Sequence, residues 1–238
     1  ISVRIMPIDV LRGTTWRLDR HSRRLFLSEV LNAPSRTFQL ALHAGLLGYR
    51  GLIDEMVSRT GLQGDEAKQL CRLGLANYFA GAVTMPYERF QTAADKLRYD
   101  IDLLCQRFSA SYEQTSHRLT TLQRPGSKGV PFFFLRVDHA GNISKRFSAS
   151  GFHFARFGGT CPRWNIHEAF RTPDKIIPQI VEMEDGTSYF TISRTVRGMG
   201  AGYKMPEQQL AIGIGCKLDY ARQLVYADGL DLAETSAI

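Results

Sequence analysis

Two periodicities divide this chain. From residue 1 to about 123 the apolar positions recur mainly at helical spacing, and from residue 130 onward they mainly alternate. Ser35–Leu47 sets Phe38, Ala41, Leu42, Gly45 and Leu46 on one side of a helix. Gly64-Asp65 opens the next helix, with Asp65 as its expected N-cap. That helix runs through Leu70, Leu73, Asn77, Phe79 and Val83 until Pro86 stops it. Tyr87–Arg98 reads as another helix, and a strand pair around Ser2–Ile8 and Arg24–Ser28 is expected ahead of them all. Residues 101–123 have the cadence of two short helices about a tight turn, either an ordinary helical hairpin or a helix-turn-helix that reads DNA. The second of these helices offers only Arg118 as a cation, which favours the ordinary hairpin.

Residues 123–129 form a loop by composition. Beyond it, Val130–Asp138 and Ile143–Ser148 read as strands about a turn at residues 139–142. Trp164–Phe170 reads as a short helix, and Ile177–Met183 and Ser188–Val196 as strands about Asp185-Gly186. Gln209–Cys216 is a further strand, and Tyr220–Tyr226 a closing helix or strand. The expected class is α+β, with a mostly helical domain over 1–123 and an antiparallel-sheet domain over 130–238.

Composition supports a folded core: 44% of residues are hydrophobic and 22% charged. No stretch is long and apolar enough for a membrane span and no signal peptide is visible, so no membrane partner is expected, while cysteines scattered singly through a globular composition fit a reducing cytoplasm. The chain begins at Ile1 without a methionine and is therefore expected to be a fragment or a processed product. Its four cysteines, Cys71, Cys105, Cys161 and Cys216, lie 34, 56 and 55 residues apart with no CxxC pair, which argues against a zinc ribbon or a dithiol redox motif. The net charge of +7 is unevenly placed: eight arginines stand against three acids in residues 1–50, and six cations against Asp138 in residues 128–163. A polyanionic partner follows from that basicity.

The candidate chemistry concentrates in residues 145–167. Lys145, Arg146, Arg156 and Arg163 are interleaved there with Phe147, Phe152, Phe154, Phe157 and Trp164, and Gly158-Gly159 lets a backbone approach closely. Arginine forks grip phosphate and flat rings stack on a base, so a nucleotide, a coenzyme A or nucleic acid would suit the segment. An equally open reading makes the aromatics core and the cations solvated. No Ser/His/Asp arrangement stands out. His167-Glu168 begins an HE pair, but Arg171 stands where a second histidine would be needed. Cys161 near His153 or His167 sits in a shaped Gly/Pro loop and is not expected to be a nucleophile.

Phe38-Gln-Leu-Ala-Leu-His-Ala-Gly-Leu-Leu47 and Leu75-Ala-Asn-Tyr-Phe-Ala-Gly-Ala-Val-Thr-Met-Pro86 resemble the IrrE/ImmA family of zinc metallopeptidases. In that family an HExxH motif supplies two zinc-binding histidines and a glutamate that activates water. By this resemblance the histidine positions are Leu42 and Leu46, the glutamate position is His43, and the third ligand falls near Leu73. Leucine cannot ligate zinc, so neither a metal site nor peptidase activity is expected.

Taken with Arg118–Gly126, Pro131–Asp138, Ala140–Arg146 and Gly158–Asn165, the whole chain is similar to the short-chain fatty acyl-CoA-responsive transcription regulators. That resemblance implies a helical IrrE-like half, then a GAF- or PAS-like acyl-CoA sensor. It also implies control of propionate, acetate, methylcitrate or glyoxylate pathway genes, and operator DNA bound through an N-terminal helix-turn-helix absent from these residues. It implies a homo-oligomer and, in the intact protein alone, an iron–sulfur cluster to which Cys216 could contribute. The expected ligand is coenzyme A or a short-chain acyl-CoA such as propionyl-CoA or acetyl-CoA. Arg136, Lys145, Arg146, Arg156 and Arg163 are its expected phosphate contacts. Phe152, Phe154 or Trp164 would face the adenine, Phe133, Phe134 and Tyr189 would line the arm, and His153, Gly158 and Gly159 are further expected ligand-binding residues. Direct nucleic-acid binding by the basic face and an architectural dimerisation role are the alternatives.

Overall fold

A computed structural model of the chain describes residues 2–154, 161–198, 200, 203, 206–233 and 235–237. These fold as two compact units, one of residues 1–87 with 108–110 and the other of residues 88–107 with 111–238.

The first unit opens with three strands, β1 (Ser2–Met6), β2 (Trp16–Asp19) and β3 (Arg24–Ser28), in the order β1-β3-β2. The two expected strands do pair, but in parallel, and the short β2 mediates the return by pairing antiparallel with β3. At four residues, with two of them exposed, β2 carries too little alternation to be legible in sequence. Three helices follow, α1 (Ala33–Gly48), α2 (Arg50–Ser58) and α3 (Asp65–Thr84). Asn32 caps α1 by accepting from the Ser35 N–H at 3.0 Å, and Pro34 suits its first turn. Gly64, with φ at +84°, takes the N-cap position of α3. Asp65 lies instead inside the first turn, where its charge favours the helix dipole.

Ala41 and Leu42 of α1 pack with Ile53 and Val57 of α2 and with Ala76 and Ala80 of α3. This core depends on a close crossing of α1 and α3: a Cβ on Gly45 would lie 2.7 Å from the Phe79 ring. Gly74, by contrast, has open space around it.

In the second unit α4 (Tyr87–Lys96), α5 (Ile101–Phe108) and α6 (Tyr112–Thr120) precede a small hairpin of β4 (Gln123–Arg124) and β5 (Ser127–Lys128), within the segment expected to be a loop. A sheet follows in the order β11-β8-β9-β10-β6-β7, built from β6 (Phe133–Asp138), β7 (Ile143–Ser148), β8 (Ile177–Glu182), β9 (Ser188–Arg197), β10 (Gln209–Lys217) and β11 (Ser236–Ala237). The four-residue α7 (Asn165–Glu168) falls between β7 and β8, and residues 218–227 form two 3-10 turns where a helix or strand was expected. The helical residues 88–107 and 111–120 thus cluster with the sheet.

The sheet is covered on both faces. On one, Glu113 of α6 meets Arg136 of β6, and Asp102 of α5 meets Arg194 of β9. Ser111 and Gln114 form a reciprocal capping box at the start of α6, and Tyr112, Thr115, Ser116, Arg118 and Leu119 are buried. A buried α6 has no face to lay in a DNA groove, so residues 101–123 are an ordinary hairpin. On the other face Phe133 and Leu135 cross Gly215 and Gly213 of β10, whose missing Cβ atoms leave room for the larger side chains. Asn165 ties α7 to this face. Its Nδ2 donates to the Ile177 carbonyl at 2.6 Å, and its Oδ1 accepts from Ser193 Oγ at 2.7 Å.

The crossing predicts opposite effects for two glycine substitutions. Gly45→Ala should lower stability by ~1–3 kcal/mol through overpacking against Phe79. Gly74→Ala should raise it by up to ~1 kcal/mol, because an exposed helical glycine loses backbone entropy and meets nothing. Denaturant titration of the two variants checks the pair.

Candidate ligand site

One hollow lies wholly within the first unit. It is a cavity of about 840 Å³ lined by Trp16, Leu18, Arg20 and Arg23 of the β2–β3 hairpin, by His43, Ala44, Leu46, Leu47 and Gly48 of α1, by Arg50, Ile53 and Asp54 of α2, and by Arg72 of α3. The hairpin presents its arginines because Asp19 closes the turn. Asp19 accepts from the N–H groups of His21 and Ser22 and from Ser22 Oγ, and those bonds hold its carboxyl below the usual range. Arg23 completes the turn with φ at +52°.

Asp54 is the cavity's one acid against Arg20, Arg23, Arg50 and Arg72. The Arg72 guanidinium bonds to it and, with Arg50 at 3.6 Å, keeps its pKa low. Arg20 and Arg23 have no acid partner among the described residues. An exposed, unpaired guanidinium pair beside an apolar floor suits a ligand with an anionic end and an uncharged, partly apolar body.

His43 forms part of that cavity and is only 1% exposed. Its Nδ1 lies 2.8 Å from the Gln39 carbonyl oxygen, and the Trp16 ring meets it edge-on at 4.5 Å. Its Nε2 is buried and has no partner. Burial pushes its pKa down, more than the Gln39 bond raises it. Leu42 packs into the helical core and Leu46 against it, whereas Leu73 is largely exposed. The three positions at which the resemblance expects peptidase ligands thus carry hydrocarbon.

The residues singled out by sequence in the second unit separate. Phe133, Phe152, Trp164 and Tyr189 are core, with Phe154 packed against them. Phe133 and Phe152 stack at 4.0 Å, and Phe152 meets Trp164 at 5.6 Å and Tyr189 at 5.0 Å. Those rings spend their faces on one another, which is the core alternative that alternation left open. Phe134 is buried towards α6, beside His117. Arg136 donates to both Glu113 oxygens, at 2.9 and 3.1 Å, and Lys145 lies 3.5 Å from the same carboxylate. Arg146 and His153 are exposed. Arg163 lines a smaller hollow of about 400 Å³ with Trp164, His167, Glu168 and Arg171, where Arg171 is paired with Glu168. Arg156, Gly158 and Gly159 lie outside the described residues.

Cys216 is sealed in β10 between β6 and β9, and burial pushes its thiol up to about 12. A thiol held that firmly in its neutral form is a poor thiolate donor, so the expected iron–sulfur role is not supported. Among the described residues no group of three or more His, Cys, Asp or Glu side chains could hold a metal ion. Among them, too, no helix is long and apolar enough to cross a membrane.

Sequence reasoning noted the arginine excess of residues 1–50 but did not connect it to Trp16, Arg20, Arg23 or Arg50. The missing link was β2, without which Arg20 and Arg23 cannot be placed opposite α1.

Residues 1–120 match the IrrE N-terminal-like domain family, and residues 121–238 match the family described as short-chain fatty acyl coenzyme A regulator, C-terminal. The HTH-type transcriptional regulator RamB of Mycobacterium tuberculosis is 48% identical over 95% of this chain and 48% of its own length. A propionyl-CoA carboxylase regulator of Cereibacter sphaeroides is 48% identical over 90% of this chain and 46% of its own. The chain therefore spans about half the length of the curated relatives it matches. A solved Mycobacterium tuberculosis transcriptional regulator superposes with a TM-score of 0.92 at 44% identity, covering 98% of this chain and 72% of that one.

The packed face also yields a pH prediction. His117 lies 6.0 Å from the Phe134 ring and 4.4 Å from Phe147. Burial, then the charges of Lys145 and Arg118, push its pKa down to about 4. The unfolded chain takes up this proton near pH 6.5, the folded chain only near 4. Stability should therefore fall as pH drops through that window, by on the order of 2 kcal/mol between pH 7 and 4.5. Urea midpoints at the two pH values test this, and His117→Leu should remove much of the difference.

Proposed function

Because the chain belongs to the short-chain fatty acyl coenzyme A regulators, with an IrrE-like N-terminal half, we propose that it is the ligand-sensing part of a transcription regulator. Its ligand is coenzyme A or a short-chain acyl-CoA such as propionyl-CoA or acetyl-CoA, and its targets are propionate or acetate (methylcitrate or glyoxylate) pathway genes. The relative named propionyl-CoA carboxylase regulator supports that ligand class.

The observation that carries this reading is the cavity under the β2–β3 hairpin. It sets four arginines against one acid around a largely apolar wall. Phosphates would lie against Arg20, Arg23 and Arg50, and the arm would run over Leu18, Leu46 and Ile53. The expected site at 145–167 is less suited to this role. Phe152, Phe154 and Trp164 are packed in the ring cluster, and Glu113 already holds Arg136 and Lys145. That engagement also weakens direct nucleic-acid binding by the sheet's basic residues. Operator DNA would be held by a helix-turn-helix elsewhere in the full-length, cytoplasmic protein, acting as a homo-oligomer on a symmetric site. The first unit is a ligand-binding descendant of a peptidase scaffold and not an enzyme, since Leu42 and Leu46 cannot ligate zinc and His43 brings no carboxylate.

An acyl-CoA bound this way biases the regulator only through different affinities for its DNA-binding and non-binding states. Discrimination among acyl groups should be modest, about 1–3 kcal/mol per methylene.

Calorimetric titration with coenzyme A, acetyl-CoA, propionyl-CoA and duplex DNA tests the reading. The CoA compounds should bind, and Arg20→Glu with Arg23→Glu should weaken them roughly 10- to 100-fold, the value of one or two lost charge-assisted bonds. Arg163→Glu should leave them unchanged. Binding lost in Arg163→Glu and kept in the hairpin variant would place the phosphates at the smaller hollow instead.

A further inference from the structure

His43 has a hydrogen-bonding valence that the arginines around it cannot fill. The Gln39 carbonyl oxygen only accepts, so the His43 nitrogen 2.8 Å from it, Nδ1, carries the ring proton. Burial keeps the imidazole neutral, which leaves Nε2 as a lone pair that only accepts. That lone pair is buried without a partner, and the Trp16 ring packs in a T-shaped contact on the same imidazole. A phosphate oxygen is also an acceptor and cannot satisfy it. The exposed guanidinium groups of Arg20, Arg23 and Arg50 are the anion's natural partners.

Resting on the cavity reading above, we infer that His43 Nε2 accepts a hydrogen bond from an uncharged N–H of the ligand's pantetheine arm, reached when Trp16 swings off the imidazole. The arm's amides offer such donors, whereas the thioester carbonyl at its end does not. Trp16 is suited to move: it starts the short strand β2 and is 40% exposed. Bringing an N–H to Nε2 replaces an orphaned buried acceptor with a bonded one, so recognition gains from the displacement. His43 therefore selects for ligands that carry the arm over bare nucleotides, while the arginines respond to phosphate alone.

Calorimetric titrations of wild type, His43→Leu and His43→Gln with coenzyme A and with adenosine 3′,5′-bisphosphate, which lacks the arm, test the assignment. His43→Leu should bind coenzyme A ~10-fold more weakly, the equivalent of one neutral hydrogen bond, with its affinity for the bisphosphate unchanged. His43→Gln, whose amide oxygen can accept, should recover part of the loss. Coenzyme A should change the tryptophan emission of wild type, and Trp16→Phe should abolish the change. Melting temperatures near that of wild type verify that the variants are folded. Wild-type coenzyme A affinity in folded His43→Leu would overturn the inference. An equal loss for the bisphosphate would also overturn it, placing the nucleotide at His43 in place of the arm. If wild type binds neither ligand, the cavity reading itself falls.

Discussion

The crossing of α1 and α3 at Gly45 and Phe79 is the contact on which the rest of the proposed ligand site depends. With no Cβ at 45 the two helices close onto each other, and Leu42 is drawn into a core shared with α2 and α3. That closure fixes the rotation of α1. Once Leu42 points inward, the next residue, His43, turns towards β2 and the cavity. The space beside that face of α1 is bordered by arginines.

The second unit uses its chemistry differently. Its aromatics, interleaved with cations in sequence, sort onto opposite faces of a sheet. Phe133 goes to the ring cluster across Gly215, while Phe134 and Arg136 go to the α6 side. A sheet with both faces covered is a stable platform, and its paired charges hold α5 and α6 in place.

Much of this was legible in sequence. The helical period of Ser35–Leu47, the stop at Pro86 and the hairpins around residues 139–142 and 185–186 all follow from local rules, and the resemblance to acyl-CoA regulators agrees with the families matched. What escaped were features decided by distant packing. The strand β2 is too short to alternate visibly, α2 follows α1 after a single residue, and the left-handed Arg23 carries no glycine to mark its turn. In the ring-and-cation segment at 145–167, alternation places side chains on two faces without saying which face is solvent. Burial answers that for Phe152 and Trp164, and a composition argument cannot.

The central claim is that ligand enters the cavity between the β2–β3 hairpin and α1–α2. Hydrogen–deuterium exchange with and without saturating coenzyme A tests it most directly. The account predicts that protection appears in residues 16–24 and 39–54 and that the strands of the second unit stay unchanged locally. Protection concentrated in residues 145–171, with none at the hairpin or α1, would contradict it.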